Sequence, residues 1–217
     1  METLNYILEF IIHIDVHLSE IIRDYRVWTY LILFLIIFAE TGLVVVPFLP
    51  GDSLLIAAGA LVSVGDTGIN IYLLALLLII AAIVGNTVNY EIGRYLGIRV
   101  FKPGNRILKE EYLEKTQAFF LKHGAKAIII GRFLPILRTV VPFVAGIGKL
   151  GRPRFNYLNV VGGIIWIVLF LFAGYFLGQF AFFKNNFSLI VLIVIIVTIL
   201  PAVYAAVASR FPKKETK

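Results

Sequence analysis

Three stretches of this chain, residues 71–95, 155–178 and 187–209, stay apolar long enough to cross a bilayer, which needs about 20 residues of helix. Lipid offers no water to satisfy open backbone groups, so such a chain is restricted to helices or a closed barrel. Barrel strands alternate polar and apolar residues over about 10 positions, whereas these runs are continuous. Composition agrees: 60% of residues are hydrophobic, 15% are charged, and the mean hydropathy is +0.93. Soluble domains are nearer 45–50% apolar with about 25% charged. The reading is an all-α polytopic membrane protein with about three full spanning helices, residues 1–217 forming a single membrane domain.

Two further apolar segments are interrupted. Residues 28–64 carry Glu40, Gly42, Pro47, Pro50, Gly51 and Asp52, and residues 127–148 carry Arg132, Pro135, Arg138, Pro142 and Gly146. The pieces on either side, about 12 residues each in the first segment, are too short to span. A helix that enters, breaks and returns to the same side fits better, and such a hairpin is tolerated where protein or a wet cavity surrounds it. Pro47, Pro50, Gly51, Pro135 and Pro142 are the expected breaks. Residues 4–25 and the stretch ending near Gly124 show helical spacing of apolar residues, as interfacial amphipathic helices do.

Basic residues set the orientation. Those at 99–126, at 149–154 and in the C-terminal tail belong on the cytoplasmic side. The C-terminus is then cytoplasmic, and the two hairpins enter from opposite faces. Each half reads amphipathic helix, Pro-broken hairpin, spanning helix. Repeat 1 covers about 1–97 and repeat 2 about 105–178, with 187–209 as an extra helix. The tetrapeptide V-V-P-F recurs at 45–48 and 140–143. Inverted repeats with broken helices meeting near the midplane describe many secondary transporters.

The charges in the broken segments are the candidate site. Each ionised group at membrane depth costs about 2.5–3.5 kcal/mol by insertion scales. Here two acids, Glu40 and Asp52, stand in one hairpin and two bases, Arg132 and Arg138, in the other. Glu40 is a candidate proton carrier or a carboxylate locked to an arginine. Asp52 caps the helix that follows it, serves the site, or both. The arginine fork suits phosphate, and the competing reading is that both arginines neutralise the two acids. Asn86, Asn89, Tyr90, Glu91 and Arg94 add a polar stripe to a spanning helix, Arg94 first as a topology anchor.

Other classes are disfavoured. No cysteine is present, so no thiolate chemistry is possible. No P-loop, H-E-x-x-H or nucleotide fingerprint occurs, and an enzyme is not expected. His13 and His17 read as interfacial residues rather than metal ligands, so neither metal nor cofactor is expected. The formal charge of +7 lies beside apolar segments, where it meets anionic lipid rather than nucleic acid.

The run F-A-E-T-G-L-V-V-V-P-F-L-P-G-D-S-L-L at 38–55 resembles the DedA family of bacterial membrane proteins, part of the VTT (SNARE-associated) group. So does G-R-F-L-P-I-L-R-T-V-V-P-F-V-A-G at 131–146, and the likeness runs from L-E-F-I-I-H-I-D-V-H-L at 8–18 through N-Y-x-I-G-R to A-G-Y-F-L-G. The resemblance implies two opposed re-entrant hairpins and movement of lipid between leaflets of the inner membrane, with dependence on the proton gradient. Undecaprenyl phosphate is the implied cargo for several members and phosphatidylethanolamine for others. The family's essential acids fall on Glu40 and Asp52, and its essential arginines on Arg132 and Arg138. Asn86 is a departure, since the family often has Asp there. The expectation is a flippase for an anionic lipid or polyprenyl phosphate, with protons as coupling partner. The alternatives are a proton-coupled small-ion or drug antiporter and a non-transporting membrane organiser.

Overall fold

The computed structural model describes residues 25–43, 51–64, 67–96, 118, 120 and 122–181, and every regular element among them is helical. In chain order these are α1 (Arg26–Gly42), α2 (Gly51–Val64), α3 (Ile71–Leu96), α4 (Ala127–Ile130), α5 (Pro135–Ile147) and α6 (Arg152–Gln179). Short 3-10 turns, Gly124–Lys126 and Gly131–Phe133, flank α4. The expected helices at 4–25 and 187–209, Pro47 and Pro50, and most of the basic stretch before residue 122 lie outside the described residues.

Length separates the elements into two kinds. α3 and α6, at 26 and 28 residues, are long and apolar enough to span. In their most apolar stretches only 44% and 33% of residues are buried inside the protein, whereas a soluble core helix would be mostly buried. Tyr72, Leu76, Ile80 and Val84 on α3 face outward, as do Ile164, Ile165, Val168 and Leu169 on α6. An outside this apolar suits lipid. By contrast α1, α2 and α5 have 17, 14 and 13 residues.

Local chemistry explains the boundaries. The Asn70 side chain caps α3, its Oδ1 accepting from the N–H groups of Tyr72 (2.9 Å) and Leu73 (3.2 Å). α6 begins at Arg152, three residues before the expected start, because Pro153 sits in the first turn, where a missing donor is harmless. Arg152 and Arg154, two of the basic residues at 149–154, therefore belong to that turn. Pro135 does mark a break: Leu134 is extended, and Pro135 opens α5. Pro142 does not. It lies inside α5, which continues to Ile147. Proline removes the helical bond to the carbonyl of residue 138 and no more, a loss tolerated when neighbouring helices enclose the segment.

The packing is reciprocal. α1 lies against α3, while α2 crosses to α6; α4 lies against α6, while α5 crosses to α3. α1 and α2 scarcely touch each other. Both crossings rest on glycine. A Cβ on Gly174 would strike the backbone of Ile56, and one on Gly59 that of Leu171; likewise Gly93 meets the backbone of Phe143, and Gly146 that of Tyr90. Without side chains the helix backbones approach closely enough for extensive dispersion contact, the main attraction available between helices in lipid. Leu55, Leu74, Leu78, Ile167 and Leu171 fill the larger core, and Tyr90 stacks on Phe155 at 4.1 Å in the smaller one. Gly174→Ala is therefore expected to pry α2 from α6 and lower stability by about 1–3 kcal/mol, as overpacking does. Thermal unfolding in detergent measures it, and an unchanged midpoint would contradict the backbone contact.

Candidate functional site

The four charges expected to form a site are brought together between α1, α2, the Gly131–Phe133 turn and α5, but they do not pair two by two. Arg138 takes both acids. Its Nη1 donates to Glu40 Oε1, and its Nη2 reaches both Asp52 oxygens at 2.6 Å. Its Nε donates to the Arg132 carbonyl at 2.9 Å. The guanidinium stands 4.6 Å above the Trp166 ring, and the Trp166 indole N–H donates to Asp52 Oδ1 at 2.7 Å. Trp166 thus fixes Asp52 by a hydrogen bond and Arg138 by a cation–π contact.

Glu40 and Asp52 differ in access. The Glu40 side chain is 3% exposed and that of Asp52 29%. Glu40 comes from the last turn of α1 and accepts from the Gly51 N–H at 3.3 Å. A Cβ at Gly51 would overlap its carboxylate, so this glycine makes the seat for Glu40. Asp52 stands in the first turn of α2, where an acid also favours the helix dipole. Its oxygens turn to Arg138 and Trp166. Glu40 Oε2 is buried without a hydrogen-bond partner among the described residues.

Arg132 occupies a different environment. It is fully buried, yet among the described residues it meets amides rather than a carboxylate. Nη2 donates to Asn159 Oδ1 at 2.5 Å and to the Asn159 carbonyl at 3.2 Å. With its amide turned to donate to the Thr41 carbonyl (3.2 Å), Asn86 also accepts from Nη2 at 2.8 Å, the orientation its neighbours require. Asn159 is held in turn by Ile83 O (2.9 Å) and Thr87 Oγ1 (3.1 Å). Gly162 and Gly163 on α6 leave room for the guanidinium. Nε and Nη1 have no hydrogen-bond partner among the described residues. The arrangement is a buried cation with two donors to spare, next to an internally satisfied acid–base knot.

The site lies near the middle of both long helices, with Trp166 and Asn159 on α6 and Asn86 on α3. Asn89 ties α1 and α5 to α3, donating to the carbonyls of Thr41 (3.1 Å) and Thr139 (2.8 Å). The rest of the polar stripe lies apart. Glu91 pairs with Arg152 at 2.7 and 2.9 Å on the exposed surface, and Arg94 donates to the Tyr90 hydroxyl at 3.1 Å. Tyr90 donates to the Leu150 carbonyl, tying the α5–α6 link to α3.

Apolar outer faces, two helices of spanning length and ionic groups gathered inside define an all-α membrane protein with a buried charged site. A model of the VTT domain matches residues 49–176, which hold Asp52, Arg132 and Arg138 but not Glu40. The chain belongs to the DedA family of VTT-domain membrane proteins. It is 50% identical to Protein DedA of Escherichia coli over 97% of this chain and 96% of that one. It is 42% identical to an uncharacterised membrane protein of Mycobacterium leprae (79% and 76% covered). Its identity to the inner membrane protein YqjA of Escherichia coli is 39% (69% and 68% covered). These relatives make it an inner membrane protein. No solved structure matches.

Proposed function

We propose that this protein moves a phosphate-bearing lipid between the leaflets of the inner membrane, with Arg132 receiving the phosphate. A transporter is consistent with the family. The observation that carries the proposal is the state of Arg132: buried, flanked by Asn86 and Asn159, and holding two unused donors among the described residues. A buried cation demands an anion, and phosphate matches the planar fork. Arg138 is the second contact. A proton on Glu40 or Asp52 weakens its internal hold and releases donors to the phosphate, which couples transport to the proton gradient.

The same reading takes α1 with α2, and α4 with α5, as two re-entrant hairpins entering from opposite faces, in a multi-pass chain with a cytoplasmic C-terminus. Helices of 17, 14 and 13 residues are short for a span, and the reciprocal crossings suit an inverted repeat. Undecaprenyl phosphate and phosphatidylethanolamine, the lipids the family resemblance points to, both present the phosphate this site requires. No bond is made or broken in this scheme. Purified protein in vesicles is expected to carry a fluorescent phospholipid to the opposite leaflet well above the rate of protein-free vesicles. Solute flux driven by a pH gradient, with no lipid transfer, would favour the antiporter instead.

A further inference from the structure

A second basic feature lies outside the charge cluster. At the start of α6, beside the Gly124–Lys126 turn, a cavity of about 660 Å³ is lined by the cations Lys122, Lys126 and Arg154 together with His123, Tyr157, Ile130 and Leu158. Among the described residues its lining holds no acid, and none of the three cations makes an ion pair. Gly124, at φ +57°, turns the chain at the rim, where an added Cβ would meet nothing within 4 Å. A left-handed turn of this kind suits glycine. Cations sharing a lining with aliphatic side chains match a molecule with an anionic head and an apolar body. A soluble anion would use the cations alone.

The place of the cavity adds a direction. Ile130 is two residues from Arg132, and Leu158 immediately precedes Asn159, the residue that holds the Arg132 guanidinium. α4 and α6 pack together along this seam. We infer that the cavity is a docking site for the phosphate headgroup of a membrane lipid, held at the interface before it passes along the α4–α6 seam to Arg132. The inference rests on the reading of Arg132 as a phosphate contact for the onward step, and on Lys122, Lys126 and Arg154 for the docking itself. Basic pockets between helices hold anionic headgroups by this combination of charge and acyl contact.

The test is native mass spectrometry of the full-length protein in detergent, titrated with phosphatidylglycerol. A Lys122→Gln/Lys126→Gln/Arg154→Gln variant is expected to bind the lipid on the order of 10- to 100-fold more weakly than wild type, given three surface cations removed. A Lys213→Gln/Lys214→Gln/Lys217→Gln control, which removes the same charge from the tail, is expected to bind as wild type does. Equal binding by the cavity variant and wild type would overturn the inference, as would equal losses in both triple variants. Displacement of the lipid by equimolar inorganic phosphate would assign the cavity to a soluble anion and overturn the lipid assignment. Arg132→Gln separates the two proposals: it keeps docking while losing transfer, so either can fail without the other.

Discussion

An Arg138→Ala protein is expected to lose about 3–5 kcal/mol of stability, the range for removing one partner from a buried ion pair. Two carboxylates depend on this guanidinium, and one of them, Glu40, is almost wholly enclosed. Losing it leaves Glu40 buried and uncompensated, deprives the half-buried Asp52 of its cation, and removes the charge above Trp166. The loss has a specific cure. Adding Glu40→Gln and Asp52→Asn to Arg138→Ala removes the stranded charges and is expected to restore much of the unfolding midpoint without restoring transport. Thermal unfolding in detergent of the single and triple variants measures both. A single variant as stable as wild type would show that the three groups do not form a knot.

Arg132→Gln is expected to behave in the opposite way. Removing a buried cation that faces amides relieves a desolvation penalty, while glutamine still donates to Asn159; stability should stay within about 1 kcal/mol of wild type. Phosphate recognition should collapse, because truncating one side of a buried, charge-assisted contact costs about 2–5 kcal/mol, on the order of 100-fold in affinity. Two arginines six residues apart in the chain are thus assigned opposite duties. On the proposed reading one holds α1, α2 and α5 together, and the other receives the anion. Phospholipid transfer in vesicles and thermal unfolding of the same preparations separate them.

Much of this architecture was legible beforehand. The long runs at 71–95 and 155–178 gave α3 and α6, since twenty-odd continuous apolar residues have one economical answer in lipid. The four charges in the broken apolar segments stood out because lipid rejects them, and that cost drew attention to Glu40, Asp52, Arg132 and Arg138 together. Their pairing was not readable. Across Pro135 the helical period is interrupted, and the 3-10 turn with the extended Leu134 swings Arg138 back until its Nε meets the Arg132 carbonyl. No spacing rule anticipates that return. Pro142 was misread as a break because its ring usually ends a helix in water, where nothing encloses the freed carbonyl.

Trp166 and Asn159 were missed for a different reason. Tryptophan in a membrane chain is expected at the interface. Trp166 stands near the middle of α6 instead, where its indole N–H needs a buried acceptor, and Asp52 is that acceptor. Asn159 carried the same signal, a polar side chain on an otherwise apolar spanning run. Both were detectable from residue type and depth along the helix. Neither is charged, so the search for costly ions passed over them.

Transfer of phospholipid to the opposite leaflet by Arg132→Gln protein, reconstituted beside wild type in matched vesicles, tests the central claim most directly. The account predicts near-background transfer from a protein whose unfolding midpoint matches wild type. Wild-type transfer by that variant would remove Arg132 from phosphate recognition, and the proposed mechanism with it.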